Sequence, residues 1–309
     1  MARSKFVIWF KELRAPFFTA SIIPVLLGTS VAYAASHVFN PVLFILAALG
    51  MVALHAGANM ANDYFDHKSG NDWLNKNVTP FSGGSQLIQQ GLLSPISVLI
   101  AALIALSIGA VTGVVILLMT RSLFILALGL AGLLGGFFYT APPVRLGYRG
   151  IGEIVIGFLF GLLPVYGSYY LQTRSVDVEP LVPGLIVAIL IFLVIFVNEF
   201  PDVPADSAVG KKTLVVLLGE GPAAWCYRFI LLASYCIVIV MMLVFRMMFF
   251  PGLFYLVTLP LALLVLRSLN RDILRKSGRY TPHQLTILLH LAGGVMISVG
   301  FLLSGFMNR

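Results

Sequence analysis

Charged residues are scarce in this chain. Only 10% of its 309 residues are charged, whereas about a quarter are charged in an average soluble domain. Hydrophobic residues make up 59% of the sequence, and the mean hydropathy is +0.98. This composition excludes an ordinary soluble domain and indicates an integral membrane protein. The net charge of +8 requires no nucleic-acid partner, because inner-loop basic residues and anionic lipid headgroups account for it.

Cysteine is equally scarce. Cys226 and Cys236 are the two cysteines of the sequence, and both fall in one apolar segment, which argues against a disulfide framework and a zinc site. No cleavable signal peptide is expected, because residues 1–15 mix Lys, Arg and Glu with Phe, Ile and Trp. We interpret K-F-V-I-W-F-K-E-L-R, residues 5–14, as an amphipathic helix at the inner membrane surface.

Long apolar runs occupy most of the remaining sequence. Runs of about 18 residues or more are typical of transmembrane helices, since roughly 20 residues cross a bilayer core. The sequence therefore predicts an all-α domain over residues 1–309 with nine transmembrane helices. Their approximate ranges are 16–36, 41–62, 95–119, 122–141, 151–172, 180–200, 221–245, 249–269 and 283–306.

The distribution of basic residues predicts the orientation. With the N-terminus inside, the outer segments hold only Arg121, Arg174, Arg246 and Arg309 of the 20 Lys and Arg residues. Such asymmetry follows the positive-inside rule. It predicts a multi-pass protein of the cell (inner) membrane with a cytoplasmic N-terminus. The basic residues from 267 to 279 are interpreted as part of this charge bias and as contacts to lipid headgroups.

Two acidic motifs end predicted spans on the same, inner side. The first reads N-M-A-N-D-Y-F-D-H-K-S-G-N-D over residues 59–72, and the second reads N-E-F-P-D-V-P-A-D over residues 198–206. Asn and Asp recur mostly at intervals of three or four residues, so on a helix they share a face. The positions concerned are Asn59, Asn62, Asp63, Asp66 and Asp72, and Asn198, Asp202 and Asp206.

This pattern predicts a magnesium site. An Asp at the centre of a span costs roughly 2.5–3.5 kcal/mol, so grouped carboxylates require a bound partner. Mg²⁺ prefers oxygen ligands and is commonly shared between carboxylates and substrate phosphates. The grouped Asp and Asn side chains of the two motifs are therefore candidate ligands of Mg²⁺. Basic residues predicted to neutralise a diphosphate are Lys68, Arg145, Arg149, Lys211 and Lys212.

A metal-bound diphosphate beside an apolar cavity suits ionisation of an allylic C–O bond to a carbocation. Aromatic side chains exclude water from such a cation and stabilise it by cation–π interactions. Residues predicted to act in catalysis are Asn62, Asp66, Asn198 and Asp202. Candidates for contact with the prenyl or aromatic substrate are His55, Asn59, Tyr139 and Tyr148. For the histidine an interhelical hydrogen bond, and for the tyrosines interface anchoring, are equally good explanations.

Three stretches carry a family resemblance. They read N-x-x-N-D-Y-x-D-x-x-x-G-x-D over 59–72, G-x-G-E followed by Y-x-L-Q-T within 150–173, and N-x-x-x-D-x-x-x-D-x-x-x-G-K-x-T-L over 198–214. The chain thereby resembles the UbiA superfamily of intramembrane prenyltransferases, and within it the enzymes that prenylate 1,4-dihydroxy-2-naphthoate in menaquinone synthesis. The resemblance implies nine transmembrane helices around a central cavity capped by cytoplasmic loops. It also implies that the two motifs hold Mg²⁺ and a prenyl diphosphate. Carried over position by position, the resemblance implies a first metal site of Asn62, Asp63, Asp66 and Asp72 and a second of Asn198, Asp202 and Asp206.

Other acceptors and other classes stay open at this point. Pro201 stands where the naphthoate enzymes often have Arg, so 4-hydroxybenzoate, homogentisate, a tetrapyrrole and a glycerol-phosphate lipid are alternative acceptors. A cation transporter is expected to place ionisable groups along a path through the membrane, whereas nearly all acidic residues here lie at one rim. The D-G-x-x-A-R signature of CDP-alcohol phosphotransferases is absent from the sequence.

Overall fold

The computed structural model describes residues 4–269 and 281–307, and within these ranges every regular element is a helix. Extended pairing among these residues is confined to an isolated bridge between Arg149 and Lys212. The helices are α1 Lys5–Glu12, α2 Thr19–Ser36, α3 Pro41–Ser69, α4 Asn71–Leu74, α5 Pro95–Thr120, α6 Leu123–Phe138, α7 Gly152–Gly157, α8 Leu163–Thr173, α9 Leu181–Asn198, α10 Val203–Ala208, α11 Leu214–Leu218, α12 Glu220–Val244, α13 Phe249–Leu256, α14 Leu259–Ser268 and α15 Pro282–Met307. A π-helical turn, Phe158–Leu162, joins α7 to α8.

Seven helices among the described residues are long and apolar enough to cross a membrane, and the count is eight if a bent pair forms one span. The seven are Ala15–Ser36, Pro41–Ser69, Pro95–Thr120, Gly152–Thr173, Leu181–Asn198, Glu220–Val244 and Pro282–Met307. The bent pair, Arg246–Leu256 with Leu259–Ser268, turns by 52°. The predicted all-α membrane architecture is confirmed at this level.

One of the nine predicted spans differs from expectation in length. At 122–141 the structure has α6, an apolar helix of 16 residues, which is shorter than the roughly 20 residues that a bilayer core requires. Nine spans, like the sidedness of the protein, therefore stay predictions. The basic residues from 271 to 279 lie outside the described residues.

The N-terminal segment forms the short helix α1, and its position at the membrane surface stays a prediction. In α1 the side chains of Phe6, Val7 and Phe10 are exposed, whereas Glu12 is completely buried. Exposed apolar and aromatic side chains on one short helix suit the boundary between headgroups and acyl chains. The buried acid at its end connects this helix to the interior of the protein.

Small residues allow the spans to pack closely. α2 packs against α8 and α15, and α3 packs along α5. A Cβ added to Gly28 would lie 2.2 Å from the carbonyl oxygen of Val165, so the backbones of α2 and α8 touch at this point. Close backbone approach replaces the hydrophobic driving force that is missing between helices in lipid. The resulting bundle fixes where the ends of α3 and α9 emerge.

Those two helix ends carry the acidic motifs. α3 continues through the whole first polar stretch to Ser69 and stops at Gly70, whose φ of +83° gives the left-handed cap that favours glycine. α9 ends at Asn198 and is followed by the short helix α10. Because α4 and α10 are in contact, the two motifs meet.

Candidate active site

A cavity of about 170 Å³ lies where the motifs meet. Both motifs contribute to its wall, with Asn59, Asn62, Asp66 and Asp72 from the first and Asn198, Asp202 and Asp206 from the second. Its remaining wall is largely aliphatic and aromatic, including Ile156, Phe160, Ile191, Val194 and Ile195. The cavity therefore joins a polar, acidic end to an apolar interior.

Amides from α4 and the following loop connect the two motifs. Asn71 Nδ2 donates to Asp206 Oδ1 at 2.7 Å, and Asn75 Nδ2 donates to Asp202 Oδ1 at 2.7 Å. The backbone N–H of Gly83 donates to the other Asp202 oxygen at 3.2 Å. These three donors fix the orientation of the second motif's carboxylates. Sequence reasoning missed Asn71 and Asn75, although their spacing of four residues, directly after the first motif's helix, was a signal.

Lys211 lies between the motifs. Its Nζ is 3.4 Å from Asp66 Oδ2 and 3.5 Å from Asp206 Oδ1, and its side chain is only 14% exposed. Burial by itself would lower the pKa of Lys211, but the two carboxylates outweigh burial and raise it well above 10.5. The ammonium therefore stays charged and bridges one carboxylate of each motif.

Asp66 has further partners. Asn62 Nδ2 donates to Asp66 Oδ2 at 3.1 Å and to Thr140 Oγ1 at 2.8 Å. The hydroxyl of Tyr148 donates to Asp66 Oδ1 at 3.2 Å. Burial, and then the negative charge of Asp66, raise the pKa of Tyr148 to about 12, so this phenol stays protonated and able to donate. Asp66 is held in one orientation by groups from three parts of the chain.

The other carboxyls of the site bind protons more tightly than usual. Burial, reinforced by Asp206, raises the pKa of Asp202 to about 7. Burial, reinforced by Asp63 and Asp66, raises the pKa of Asp72 to about 9. Burial also raises the pKa of Asp206. Carboxyls in this surrounding either keep a proton or require a cation to replace it.

The donor set fits Mg²⁺. Among residues 4–269 and 281–307, no three His, Cys, Asp or Glu side chains are placed to hold a metal by themselves. Mg²⁺ does not require such a cage, since it usually binds one or two carboxylates together with water and substrate phosphates. Asp66 and Asp206 already approach one positive charge. The buried Oδ1 of Asn198 has no hydrogen-bond partner in the described part of the chain.

Asp63 is placed differently from the expected shared face. Its carboxylate is not on the cavity wall and instead accepts the backbone N–H of Ser85 at 2.9 Å. Ser85 Oγ in turn donates to Glu12 Oε2 at 2.6 Å. Burial, reinforced by Asp63, raises the pKa of Glu12 to about 8. Asp63 thus connects α3 to the helix α1, because the loop after α4 packs against that side of α3.

Gly84 makes this packing possible. Its φ is +70°, which side chains rarely adopt. A Cβ there would lie 3.1 Å from both carboxylate oxygens of Asp72 and 3.2 Å from Asp63 Oδ1. The preceding residue, Gly83, also has a positive φ. The close partner of Gly84 is the first acidic motif.

Four of the five predicted diphosphate-binding residues lie away from the cavity. Lys68, Arg145, Arg149 and Lys212 are exposed and do not line it. The guanidinium of Arg149 donates to the carbonyl of Val144. Of the five, Lys211 alone lines the cavity among the described residues. A diphosphate role for the other four stays a prediction that the geometry of these residues does not support.

The predicted substrate-contact residues fall into two groups. His55, Asn59 and Tyr139 line the cavity, whereas Tyr148 does not line it and contacts two residues that do, Asp66 and Lys211. His55 Nδ1 also shares a hydrogen bond of 2.8 Å with Ser21 Oγ. His55 therefore forms the interhelical hydrogen bond considered from the sequence and also lines the cavity. Cavity-lining residues that sequence reasoning did not assign include Arg14, Phe17, Phe81, Phe160 and Glu199.

Comparison with known proteins finds similar sequences in one family of membrane prenyltransferases. The model of the UbiA prenyltransferase family matches residues 21–281. The chain is 31% identical over 295 residues to the 1,4-dihydroxy-2-naphthoate octaprenyltransferase of Mycobacterium leprae, covering 95% of this chain and 94% of that protein. It is 26% identical over 305 residues to the 2-carboxy-1,4-naphthoquinone phytyltransferase of Synechocystis sp., covering 95% and 92%.

Solved structures show the same fold. A UbiA homolog from Archaeoglobus fulgidus bound to DMAPP and Mg²⁺ has a TM-score of 0.68 at 15% identity, covering 97% of this chain and 98% of that one. The apo structure of a UbiA homolog from Aeropyrum pernix K1 has a TM-score of 0.69 at 14% identity, covering 93% and 97%. The match to the family model covers most of the chain, and this chain belongs to the UbiA prenyltransferase family.

Proposed function

We propose that this prenyltransferase carries out the Mg²⁺-dependent transfer of a polyprenyl group from an allylic diphosphate to 1,4-dihydroxy-2-naphthoate, in menaquinone synthesis. The observation that carries the proposal is the meeting of both acidic motifs and Lys211 at one cavity with an apolar interior. The names of the similar naphthoate enzymes support the acceptor. Structures of similar proteins bound to DMAPP or GPP and Mg²⁺ support the donor and the metal.

The metal would be held by Asp66, Asp72, Asp202 and Asp206, which all line the cavity, assisted by Asn62 and Asn198. When bound, Mg²⁺ neutralises charge on the departing diphosphate and so favours cleavage of the allylic C–O bond. Asn62, Asn75 and the Gly83 amide keep the carboxylates oriented. Loss of such surrounding hydrogen bonds typically costs about 10- to 100-fold in metal affinity or activity.

Lys211 would donate hydrogen bonds to oxygens of the diphosphate, since its charged Nζ already lies between the two motifs. Charge-assisted hydrogen bonds are roughly twice as strong as neutral ones. They stabilise a leaving group most where charge develops in the transition state. Together with the metal, the lysine thus promotes separation of the diphosphate from the allylic carbon.

The apolar interior would protect the allylic cation. Phe160 and the isoleucine and valine side chains of α7 and α9 line it, and they exclude water that would otherwise quench the cation. The electron-rich ring carbon of the acceptor then forms the new C–C bond. Loss of CO₂ or a proton from that carbon restores aromaticity. The product leaves towards the membrane, and the site faces the cytoplasm in the orientation that the basic residues predict.

Purified protein in detergent or nanodiscs tests this proposal. With Mg²⁺, labelled farnesyl or geranylgeranyl diphosphate and 1,4-dihydroxy-2-naphthoate, we expect a lipid-soluble prenylated product by mass spectrometry, and none when EDTA removes the metal. A parallel panel contains 4-hydroxybenzoate, homogentisate and a glycerol-phosphate acceptor. Product with one of those alone would replace the naphthoate assignment, and cation flux in proteoliposomes without any product would favour a transporter.

Metal binding should depend on pH. Asp202 and Asp72, with pKa values of about 7 and about 9, must lose protons as a cation binds. Below those pKa values the apparent affinity falls up to about tenfold per pH unit for each proton released. We expect Mn²⁺, followed by electron paramagnetic resonance, to bind at least about tenfold more weakly at pH 6 than at pH 8. Equal Mn²⁺ affinity at both pH values would show that Asp72 and Asp202 are already ionised.

The stability of the metal-free protein should decrease as the pH rises, whereas the affinity for the metal should increase. Because the folded pKa values exceed the ordinary 3.8, the folded state binds more protons than the unfolded state above about pH 4. The free energy of unfolding in EDTA therefore decreases from about pH 4 up to the folded pKa values, and Mg²⁺ restores it.

A further inference from the structure

Arg14 is a second cation on the cavity wall, and neither the acidic motifs nor the predicted diphosphate ligands include it. It follows α1 with a φ of +52°, a left-handed conformation that non-glycine residues adopt rarely and that often marks functional positions. Arg14 Nη2 donates to the carbonyl of Phe81 at 3.1 Å, and its guanidinium lies 5.0 Å from the centroid of the Phe17 ring. The carbonyl bond uses one of five N–H donors.

A second donor lines the same cavity. The Nδ2 of Asn59 is buried and has no hydrogen-bond partner among the described residues, although the residue lines the cavity. Leaving such a donor unsatisfied is costly. This amide therefore points to a bound group that accepts a hydrogen bond, and Arg14 supplies the positive charge that such an acceptor prefers when it is an anion.

Rings line this part of the cavity. Phe17 and Phe81 contact each other edge to face with centroids 6.2 Å apart, and His55 lies 4.6 Å from Phe160. All four residues are on the cavity wall. The ring nitrogen Nδ1 of His55 is already engaged by Ser21. Ring faces and edges of this kind pack well against a planar aromatic molecule.

The surroundings of Arg14 differ from those of Lys211. Lys211 contacts Asp66, Asp206 and the ring of Tyr148, which are groups suited to a metal and a diphosphate. Arg14 contacts a backbone carbonyl and a phenyl ring, and within the described residues it forms no ion pair. The cavity thus contains two cationic groups with different contacts. Lys211 contacts carboxylates directly, whereas Arg14 contacts rings and interacts with the buried carboxyls of Glu12 and Asp63 only at longer range.

We propose that Arg14, together with the Asn59 amide, binds the carboxylate of an aromatic acid acceptor and so selects acidic acceptors over neutral ones. This inference rests on the proposed function. It adds a residue from the N-terminal segment to the acceptor site. A guanidinium pairs with a carboxylate in a planar, two-bond geometry, which suits an acid group in the plane of a naphthalene ring.

Two acceptors that differ only in the acid group test the proposal: 1,4-dihydroxy-2-naphthoate and 1,4-dihydroxynaphthalene. For Arg14→Gln we expect the KM for the acid to rise about 10- to 100-fold, while KM values for the neutral diol and for the prenyl diphosphate stay within about twofold of wild type. Arg14→Lys retains the charge and should fall between. The matched control is Lys11→Gln, which removes an exposed charge of α1 and should leave all three KM values unchanged.

Several results would overturn the inference. Equal losses with both acceptors mean that Arg14 acts by anchoring Phe81, and a raised KM for the prenyl diphosphate alone means that the diphosphate is its anion. Equilibrium dialysis with 1,4-dihydroxy-2-naphthoate gives a readout independent of turnover, and binding to Arg14→Gln as tight as to wild type would reject the assignment. A wild-type protein that binds the acid but prenylates no acceptor would reject the proposed function and leave the Arg14 site standing.

Discussion

Replacing Asp66 with asparagine should lower kcat/KM for prenyl transfer by about 10³-fold or more while the protein stays folded. Asp66 accepts hydrogen bonds from Asn62 and Tyr148 and lies 3.4 Å from Lys211 Nζ. The new amide side chain has nearly the same shape but carries no charge for a divalent cation. Loss of a single group that stabilises transition-state charge typically costs about 10²–10³-fold, and loss of the metal adds to this.

The matched control for Asp66→Asn is Asp177→Asn. Asp177 lies between α8 and α9, where it accepts hydrogen bonds from Tyr169 and Ser175, and it does not line the cavity. Asp177→Asn should keep kcat within about twofold of wild type. Product formation, thermal unfolding and Mn²⁺ affinity are measured for both variants. An Asp66→Asn protein that keeps more than about a tenth of wild-type activity would remove Asp66 from the metal site.

Replacing Lys211 with methionine should destabilise the metal-free protein by about 3–5 kcal/mol, the range for breaking a buried ion pair. The change leaves Asp66 and Asp206 without the cation that lies 3.4 and 3.5 Å from their oxygens. Mg²⁺ should recover most of the loss, because it supplies positive charge at the same carboxylates. The free energy of unfolding is compared at pH 8 in EDTA and in excess Mg²⁺.

Lys212→Met is the control for Lys211→Met. Lys212 is the next residue, carries the same charge and is exposed, so its replacement should change the free energy of unfolding by less than about 0.5 kcal/mol. Equal effects of the two substitutions would show that net charge, and not the bridge between the motifs, determines stability. A loss in Lys211→Met that Mg²⁺ does not reduce would separate Lys211 from the metal-binding carboxylates.

The acidic motifs were predictable because they depend on local rules. Carboxylates at the end of an apolar run are costly, and their spacing of three or four residues on α3 places Asn59, Asn62 and Asp66 on one wall. The same rule accounts for the position of Lys68. It lies two residues after Asp66, or about 200° around a helix, and it is exposed. Helical periodicity thus argues against one predicted diphosphate ligand that proximity in sequence favoured.

Loop contacts were not predictable in this way. Asn75 and Gly83 bind the two oxygens of Asp202 although both are distant from it in the sequence, and no periodic pattern relates them. The choice between Lys211 and Lys212 likewise required the tertiary structure, since the two residues are identical in type and adjacent. Irregular backbone has no repeat from which the direction of a side chain can be inferred.

The amino-acid sequence by itself determined that this protein is helical and membrane-embedded and that two acidic motifs end its spans, because hydropathy and residue spacing act over a few turns of one helix. Tertiary structure alone decided which charges meet. It placed Lys211 between Asp66 and Asp206 and Arg14 on the cavity wall, and it turned Asp63 towards Ser85. The physical reason is that Coulomb and hydrogen-bond contacts depend on distances between distant segments, which only the packing of the helices fixes.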